Sequence, residues 1–386
     1  MKVIYVGVWK DGTGWGHAAQ DYILALDAGG VDVVPRAIRL NNAEAEIPDR
    51  ILELEQKDDK NPDAIIQNVL PSMMCYDREM GKNIGLFFTE TSHFKHTDWV
   101  QKLQLMDEMW APATSCIECA INSGVNLPHA DIPCACDASK YMQYYRPYDL
   151  PGIQDTFVFY TIGELTRRKN LVALLKAFHT EFTVNEPVSL VIKCNSPNHS
   201  TEETQKHARA ICNKVKENMR LTNYKDEIIL VSDMVEQEIM RLHATCDCFV
   251  MPSYGEAWCI PAFDAMCMGK TPIVNNTGGP STYIGCGGIT VRNHKEPAFG
   301  MTDGFPGLYT GDELWDSIDI SGLRMAMRYI YSNSDARDRM AARGVETASE
   351  YSHEKIGKIM KESLNAALSN RSTKVGKKHN IAGLAQ

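Results

Sequence analysis

The amino-acid sequence predicts an α/β protein built from two doubly wound domains, and three observations lead there. Short apolar runs alternate with helical patterns along both halves of the chain. A Pro151-Gly152 step after the Tyr- and Arg-rich stretch YMQYYRPYDL separates the halves. The 386 residues suffice for two cores of ordinary size. Alternation of strand and helix implies a parallel sheet with helices on its faces. Two such halves place a ligand cleft at their interface.

In chain order, KVIYVGV reads as a first strand and GHAAQDYILALDAGG as a helix that Gly29 and Gly30 end. VDVVPRAI, AIIQNVL, NIGLFFTE and EMWAPA continue the strand series, with an amphipathic helix before the last. The second half repeats the plan. FVFYTIGE, VSLVIKCN, EIILVSD, CFVMPS and PIVNN read as strands; NLVALLKAFHTEF, TEETQKHARAICNKVKENM, EQEIMRLHATC and FDAMCMG read as helices. Beyond Tyr283, the stretch to Trp315 has little periodicity and is expected to be a long loop. SGLRMAMRYIYSNS and SHEKIGKIMKESLNAALSN read as two further helices. The expected organisation is a first domain over 1–150, a second over 151–350, a C-terminal helix over 351–370 that crosses back to the first domain, and a mobile basic tail over 371–386.

Composition narrows the function. Hydrophobic residues make up 44% and charged residues 23% of the chain, with a net charge of −9 and a pI near 5.7, so nothing global favours a polyanionic partner. No apolar run approaches a membrane span, and the apolar part of MKVIYVGVWKDG is too short for a signal peptide. Twelve cysteines without such a signal point to reduced thiols and a cytoplasmic setting. Cys116 and Cys119 fall in a helical pattern, and Cys134 and Cys136 in the expected strand DIPCACD. The second pair has the wrong spacing for a usual zinc site, so no metal site is expected.

The most informative segment runs from Val250 to Val274 (VMPSYGEAWCIPAFDAMCMGKTPIV). It sets Glu256 in a loop after a strand and Asp264 eight residues on, near the start of a helix. The crevice beyond the carboxyl ends of parallel strands is where ligands bind in open α/β sheets. Acids there suit sugar hydroxyls, and helix-start amides suit a phosphate. Gly12, Gly14 and Gly16 open the first helix; the spacing is not the dinucleotide fingerprint, but it lets backbone approach an anion closely. Arg167, Arg168 and Lys169 stand together just before a helix, unfavourably against its dipole unless an anion is near. Asp233 and Met234 end another strand, where backbone groups could read a nucleobase. Glu90 and His93 end a strand of the first half, placed to orient or deprotonate an acceptor hydroxyl.

Taken in order, these motifs resemble the retaining glycosyltransferases of family four, whose GT-B fold faces two Rossmann-like domains across a cleft. The resemblance is strongest from Phe157 to Tyr283. The family's glycine-rich loop looks like Gly12 to Gly16, with Gly14, Trp15 and Gly16 at the substrate. Its basic phosphate motif looks like Arg168 and Lys169, although Glu164 stands where many members carry arginine. Its paired acids look like Glu256 and Asp264, the second a methylene shorter. The resemblance implies that Glu256 meets the transferred sugar, Asp264 the ribose, and the backbone of Ala257, Trp258, Cys259 and Ile260 the sugar and diphosphate. Either Glu90 or His93 matches the family's first-domain site near the sugar.

The implied reaction is hexosyl transfer from a nucleoside-diphosphate sugar, a UDP-sugar rather than a GDP- or ADP-sugar, to a saccharide or other hydroxyl. It retains configuration by a front-face mechanism and uses no cofactor or metal. Transfer to a hydroxymethylated nucleic-acid base is the first alternative, disfavoured by the acidic charge. A non-catalytic sugar-nucleotide-binding protein is the second.

Overall fold

The computed structural model describes residues 1–40, 44–196, 199–301 and 304–369. The tail over 371–386 lies outside them. The first sheet holds β1 (Lys2–Gly7), β2 (Asp32–Ala37), β3 (Ala64–Asn68), β4 (Lys82–Leu86), β5 (Glu108–Ala111) and β6 (His129–Asp131), all parallel, in the order β2-β1-β3-β4-β5-β6. Its helices are α1 (Gly14–Ala28), α2 (Asp49–Glu55), α3 (Trp99–Gln104) and α4 (Thr114–Asn122). β2 carries Pro35, which an edge strand tolerates because one side of its ladder is unused.

The second sheet holds β7 (Phe157–Glu164), β8 (Val188–Asn195), β9 (Ile228–Val231), β10 (Cys248–Met251), β11 (Ile273–Asn275) and β12 (Ile289–Val291). Read from the β9 edge its order is β9-β8-β7-β10-β11-β12, the doubly wound dinucleotide-fold order. Around it lie α5 (Leu171–Glu181), α6 (Thr201–Asn218), α7 (Glu236–Thr245), α8 (Ile260–Cys267) and α9 (Pro280–Tyr283). α6 starts on a capping box made by Ser200 and Glu203. β8 is buried over seven consecutive residues, as a strand covered on both faces must be.

Four readings of the sequence need correction. The stretch after Tyr283 is not a loop: it contributes β12 and then an antiparallel hairpin of β13 (Asn293–Phe299) and β14 (Thr310–Ile318). The hairpin stands apart from the main sheets and packs across to the first domain. Phe305 meets Trp99, with ring centroids 5.6 Å apart, and Leu308 joins the cluster around Phe94 and Met109. Much of its apolar support is therefore remote in sequence, and no local periodicity announces it. Cys134 and Cys136 lie beyond β6 rather than in a strand; the Cys136 amide donates to the Tyr351 carbonyl at 2.9 Å. α8 begins at Ile260, three residues before the expected helix, because Pro261 suits a first turn, and this leaves Asp264 mid-helix. Between α10 (Ile320–Ser332) and the last helix stands an unforeseen α11 (Ser334–Thr347), which buries only Ala336 and Gly344 and so shows little apolar stripe.

α12 (His353–Ser369) returns from the second half to pack on α1. Lys361 Nζ donates to the Gly29 carbonyl at 3.0 Å, and His353 Nε2 lies 2.8 Å from Asp21 Oδ1. Between the two sheets an aromatic cluster of Tyr141, Trp258, Phe263, Tyr283 and Tyr351 fills the seam. The core therefore runs continuously from one half into the other.

Candidate functional site

Strand order decides where the site can be. In the second sheet the order in which strands are added reverses between the parallel neighbours β7 and β10, so their carboxyl ends open into a crevice. The turn Arg167–Lys169 leaves β7 there, and the loop Pro252–Glu256 leaves β10 there. Asn170 ties the two loops together. It adopts the left-handed conformation (φ 50°), accepts from the Ala173 amide to cap α5, and donates Nδ2 to the Pro252 carbonyl at 3.2 Å.

Glu256 is 6% exposed and sits between the cations. Lys169 Nζ lies 2.6 Å from Oε1, and Arg168 Nη1 lies 3.3 Å from Oε2. Burial alone would push this carboxyl up, but Lys169 and Arg168 overcome it and hold the group down at about 2. Arg168 also donates to the Gly255 carbonyl at 2.7 Å and reaches Glu90 Oε1 of the first half at 3.6 Å. Burial opposes its charge, yet Glu90 and Glu256 raise its pKa above the usual arginine range. The conflict of three cations ahead of α5 is thus resolved for two of them by protein carboxylates. Arg167 turns away and stacks on Phe299, 4.4 Å from the ring centre.

The backbone around Glu256 is packed tightly on both sides. A Cβ on Gly255 would lie 2.2 Å from the Glu90 carbonyl oxygen, and one on Gly278 would lie 1.7 Å from the Glu256 carbonyl oxygen. Only glycine permits either approach, and Gly278 also has φ +57°. Beyond Glu256, Ala257 and Trp258 are buried, Trp258 against Phe263 and Tyr283. Cys259, with φ 65°, precedes α8, and burial pushes its thiol up to about 12. The segment from Ala257 to Ile260 thus offers backbone more than side chains.

Across the crevice, the loop before α1 sits where the first sheet reverses, between β1 and β3. Thr13 caps α1 by accepting from the Gly16 amide at 3.1 Å, and Trp15 Nε1 donates to Asn68 Oδ1 at 3.0 Å. Gly14 faces Ile260, whose Cδ1 is 4.0 Å from the position a Cβ would take. His93 points elsewhere than Glu90. Its Nε2 is 3.6 Å from Asp312 of β14, which also binds Lys95 and His96, and its Nδ1 is buried with no hydrogen-bond partner among the described residues.

Asp264 is 4% exposed and does not join the Glu256 cluster. Tyr141 donates its hydroxyl to Oδ1 at 2.5 Å, and Lys140 Nζ lies 3.4 Å from the same oxygen. Asp233 and Met234 follow the edge strand β9, two strands from the reversal; Asp233 is exposed and Met234 half-buried. The structure therefore brings Arg168, Lys169, Glu256 and Glu90 together, sets Gly14 opposite Ile260, and holds His93, Asp264 and Asp233 in separate surroundings.

Sequence reasoning missed Tyr141 and Lys140, Tyr309 and Lys193. Tyr309 stands close enough to Glu90 and Arg168 to feel both charges, and burial pushes its hydroxyl up. Of these, Lys193 carried a local signal: a lone cation in the otherwise uncharged strand VSLVIKCN. Among the described residues, no three His, Cys, Asp or Glu side chains converge as metal ligands.

Comparison with known proteins gives these positions a setting. Residues 151–296 match the family model described as glycosyl transferases group 1. A search of curated proteins finds no match. Among solved structures, the chain is similar to sucrose-phosphate synthase from Thermosynechococcus elongatus (TM-score 0.63, 14% identity, covering 96% of this chain and 99% of that one). It is similar to HepE of Anabaena in complex with UDP and glucose (TM-score 0.61, 14% identity, 95% and 100% covered). A third likeness is to a trehalose-6-phosphate protein from E. coli bound with UDP-2-fluoro glucose (TM-score 0.67, 8% identity, 94% and 99% covered). At these identities the likenesses establish the fold, two Rossmann-like domains of the GT-B type. With a glycosyl transferases group 1 domain over residues 151–296 of that fold, the chain is built as a glycosyltransferase.

Proposed function

We propose that the protein is a retaining hexosyltransferase that uses a UDP-sugar and a saccharide hydroxyl, with 1–150 as the acceptor side and 151–350 as the donor side. The observation that carries the reading is the Glu256–Lys169–Arg168 cluster at the reversal of the second sheet, with Glu90 facing it from the first. UDP or a UDP-sugar analogue accompanies two of the similar folds, which supports the choice of donor. Twelve free thiols fit a reducing, cytoplasmic setting.

In this reading the bond from the anomeric carbon to the diphosphate breaks while the acceptor oxygen bonds to that carbon on the same face. The acceptor proton passes to the departing phosphate oxygen. Lys169 and Arg168 release part of their hold on Glu256 to meet the diphosphate charge. Glu256, ionised throughout the neutral range, accepts hydrogen bonds from the transferred sugar. Glu90 or His93 orients the hydroxyls on the acceptor side. Asp264 meets the ribose through the oxygen that Tyr141 does not occupy, and the backbone at Asp233 and Met234 reads the base. Closure of the two domains excludes water and limits donor hydrolysis.

Thermal-shift screening against UDP-, GDP- and ADP-sugars tests the donor. A donor that binds only the folded state raises the melting temperature, and the UDP series is expected to do so. Equal absence of a shift in all three series overturns the reading.

A further inference from the structure

Among the described residues the fold buries two lysines below one-tenth exposure, and they differ in one respect. Lys216, 2% exposed, binds Asp226 at 2.8 Å and Glu227 at 3.0 Å, and these acids raise its pKa despite burial. The ammonium of Lys193, a residue 7% exposed, makes no hydrogen bond or ion pair with any described residue. It projects from β8 into the crevice beside β7, in a pocket it shares with Gly163, Thr166, Lys169, Ser253 and Glu256. Burial lowers its pKa, and Asp233 offsets this only through space.

A lysine so largely covered, whose ammonium keeps contact with water and has no protein partner among the described residues, is placed to hold an anion that enters the crevice. The other cations of this crevice are already engaged: Lys169 with Glu256, and Arg168 with Glu256, Glu90 and the Gly255 carbonyl. We propose that Lys193 is a binding residue for the diphosphate of the nucleotide-sugar donor. This deepens the donor reading above and rests on it. The anion completes the hydrogen bonds of Lys193, and Lys169 stays on Glu256 until charge develops on the leaving group. Lys193 then serves ground-state binding of the donor, while Lys169 and Arg168 serve its departure.

The test compares wild type with Lys193→Met, and with Lys193→Gln should the first variant fold poorly. UDP and inorganic pyrophosphate are titrated against each by calorimetry. Loss of a charged hydrogen bond is expected to raise both dissociation constants by the same factor, roughly tenfold or more. The melting temperature of the ligand-free variant should stay close to that of wild type, because the Lys193 ammonium has no hydrogen bond or ion pair to lose among the described residues. A UDP constant within twofold of wild type overturns the assignment. So does weaker UDP binding with unchanged pyrophosphate binding, which would place Lys193 on the base. Wild type that binds neither UDP, GDP nor ADP overturns the donor reading and this one together, whereas a variant that matches a binding wild type overturns this one alone.

Discussion

Glu256 and Asp264 belong to one motif, eight residues apart and almost equally buried, yet they live in different regions of the molecule. Glu256 lies on the floor of the crevice against Lys169 and Arg168, and Lys169 keeps 23% of its side chain exposed. Asp264 lies in the seam between the halves, held by Tyr141 and Lys140 from the far side of the division. The comparison teaches that burial of an acid does not reveal its role; the company it keeps does. A carboxylate held by cations that a ligand can take over is poised for exchange. One held by a tyrosine hydroxyl and a largely covered lysine also ties two domains together.

The largest expected effect is on the crevice side. Glu256→Ala should lower the rate of sugar transfer by roughly a hundred- to a thousandfold or more. Its melting temperature should fall yet leave the protein folded, because Lys169 can turn toward solvent and Arg168 keeps Glu90 and the Gly255 carbonyl. A variant with full transfer activity breaks the site assignment.

On the seam side, the main readout is stability. Asp264→Ala takes the acceptor from Tyr141 and one of two acids from Lys140, which keeps Glu236 at 2.9 Å, and should cost about 1–3 kcal/mol in denaturant unfolding. Combined with Lys140→Met, the loss should be smaller than the sum of the two single losses; a strictly additive loss would show that the pair is not coupled. Tyr141→Phe removes one hydrogen bond to a charged group and should cost about 1.5–3 kcal/mol. An unchanged unfolding midpoint would mean that the Tyr141 contact contributes nothing to the seam.

The smallest effect is one of pH. The Glu256 carboxyl lies at about 2 in the folded protein against an ordinary value of 4.5. A depressed carboxyl stabilises the fold fully above the unfolded value, and that contribution fades as pH falls from 4.5 toward 2. The stability difference between wild type and Glu256→Gln should therefore be flat above pH 4.5 and shrink below it. A difference that persists unchanged at pH 2.5 would show that the Lys169 and Arg168 pairing does not depress the group.

What was legible in advance follows a physical division. Buried parallel strands need unbroken apolar runs, so VSLVIKCN and CFVMPS declared themselves, and loops at strand ends marked the crevice. The β13–β14 hairpin did not, because Phe305 and Leu308 find their partners in the first half rather than in a local stripe. The start of α8 was misplaced because a left-handed Cys259 and Pro261 launch the helix inside what read as a turn.

The sequence by itself determined the two-domain α/β architecture and the presence of Glu256, Arg168 and Lys169 at strand ends, since periodicity and strand-end motifs are local properties. Only the tertiary structure decided which groups meet. It paired Arg168 with Glu90 across the crevice, gave Asp264 a hydroxyl from 123 residues away, and left the largely covered Lys193 without a direct partner among the described residues. Such pairings depend on how two sheets face each other, and Coulomb energy and desolvation act through space rather than along the chain.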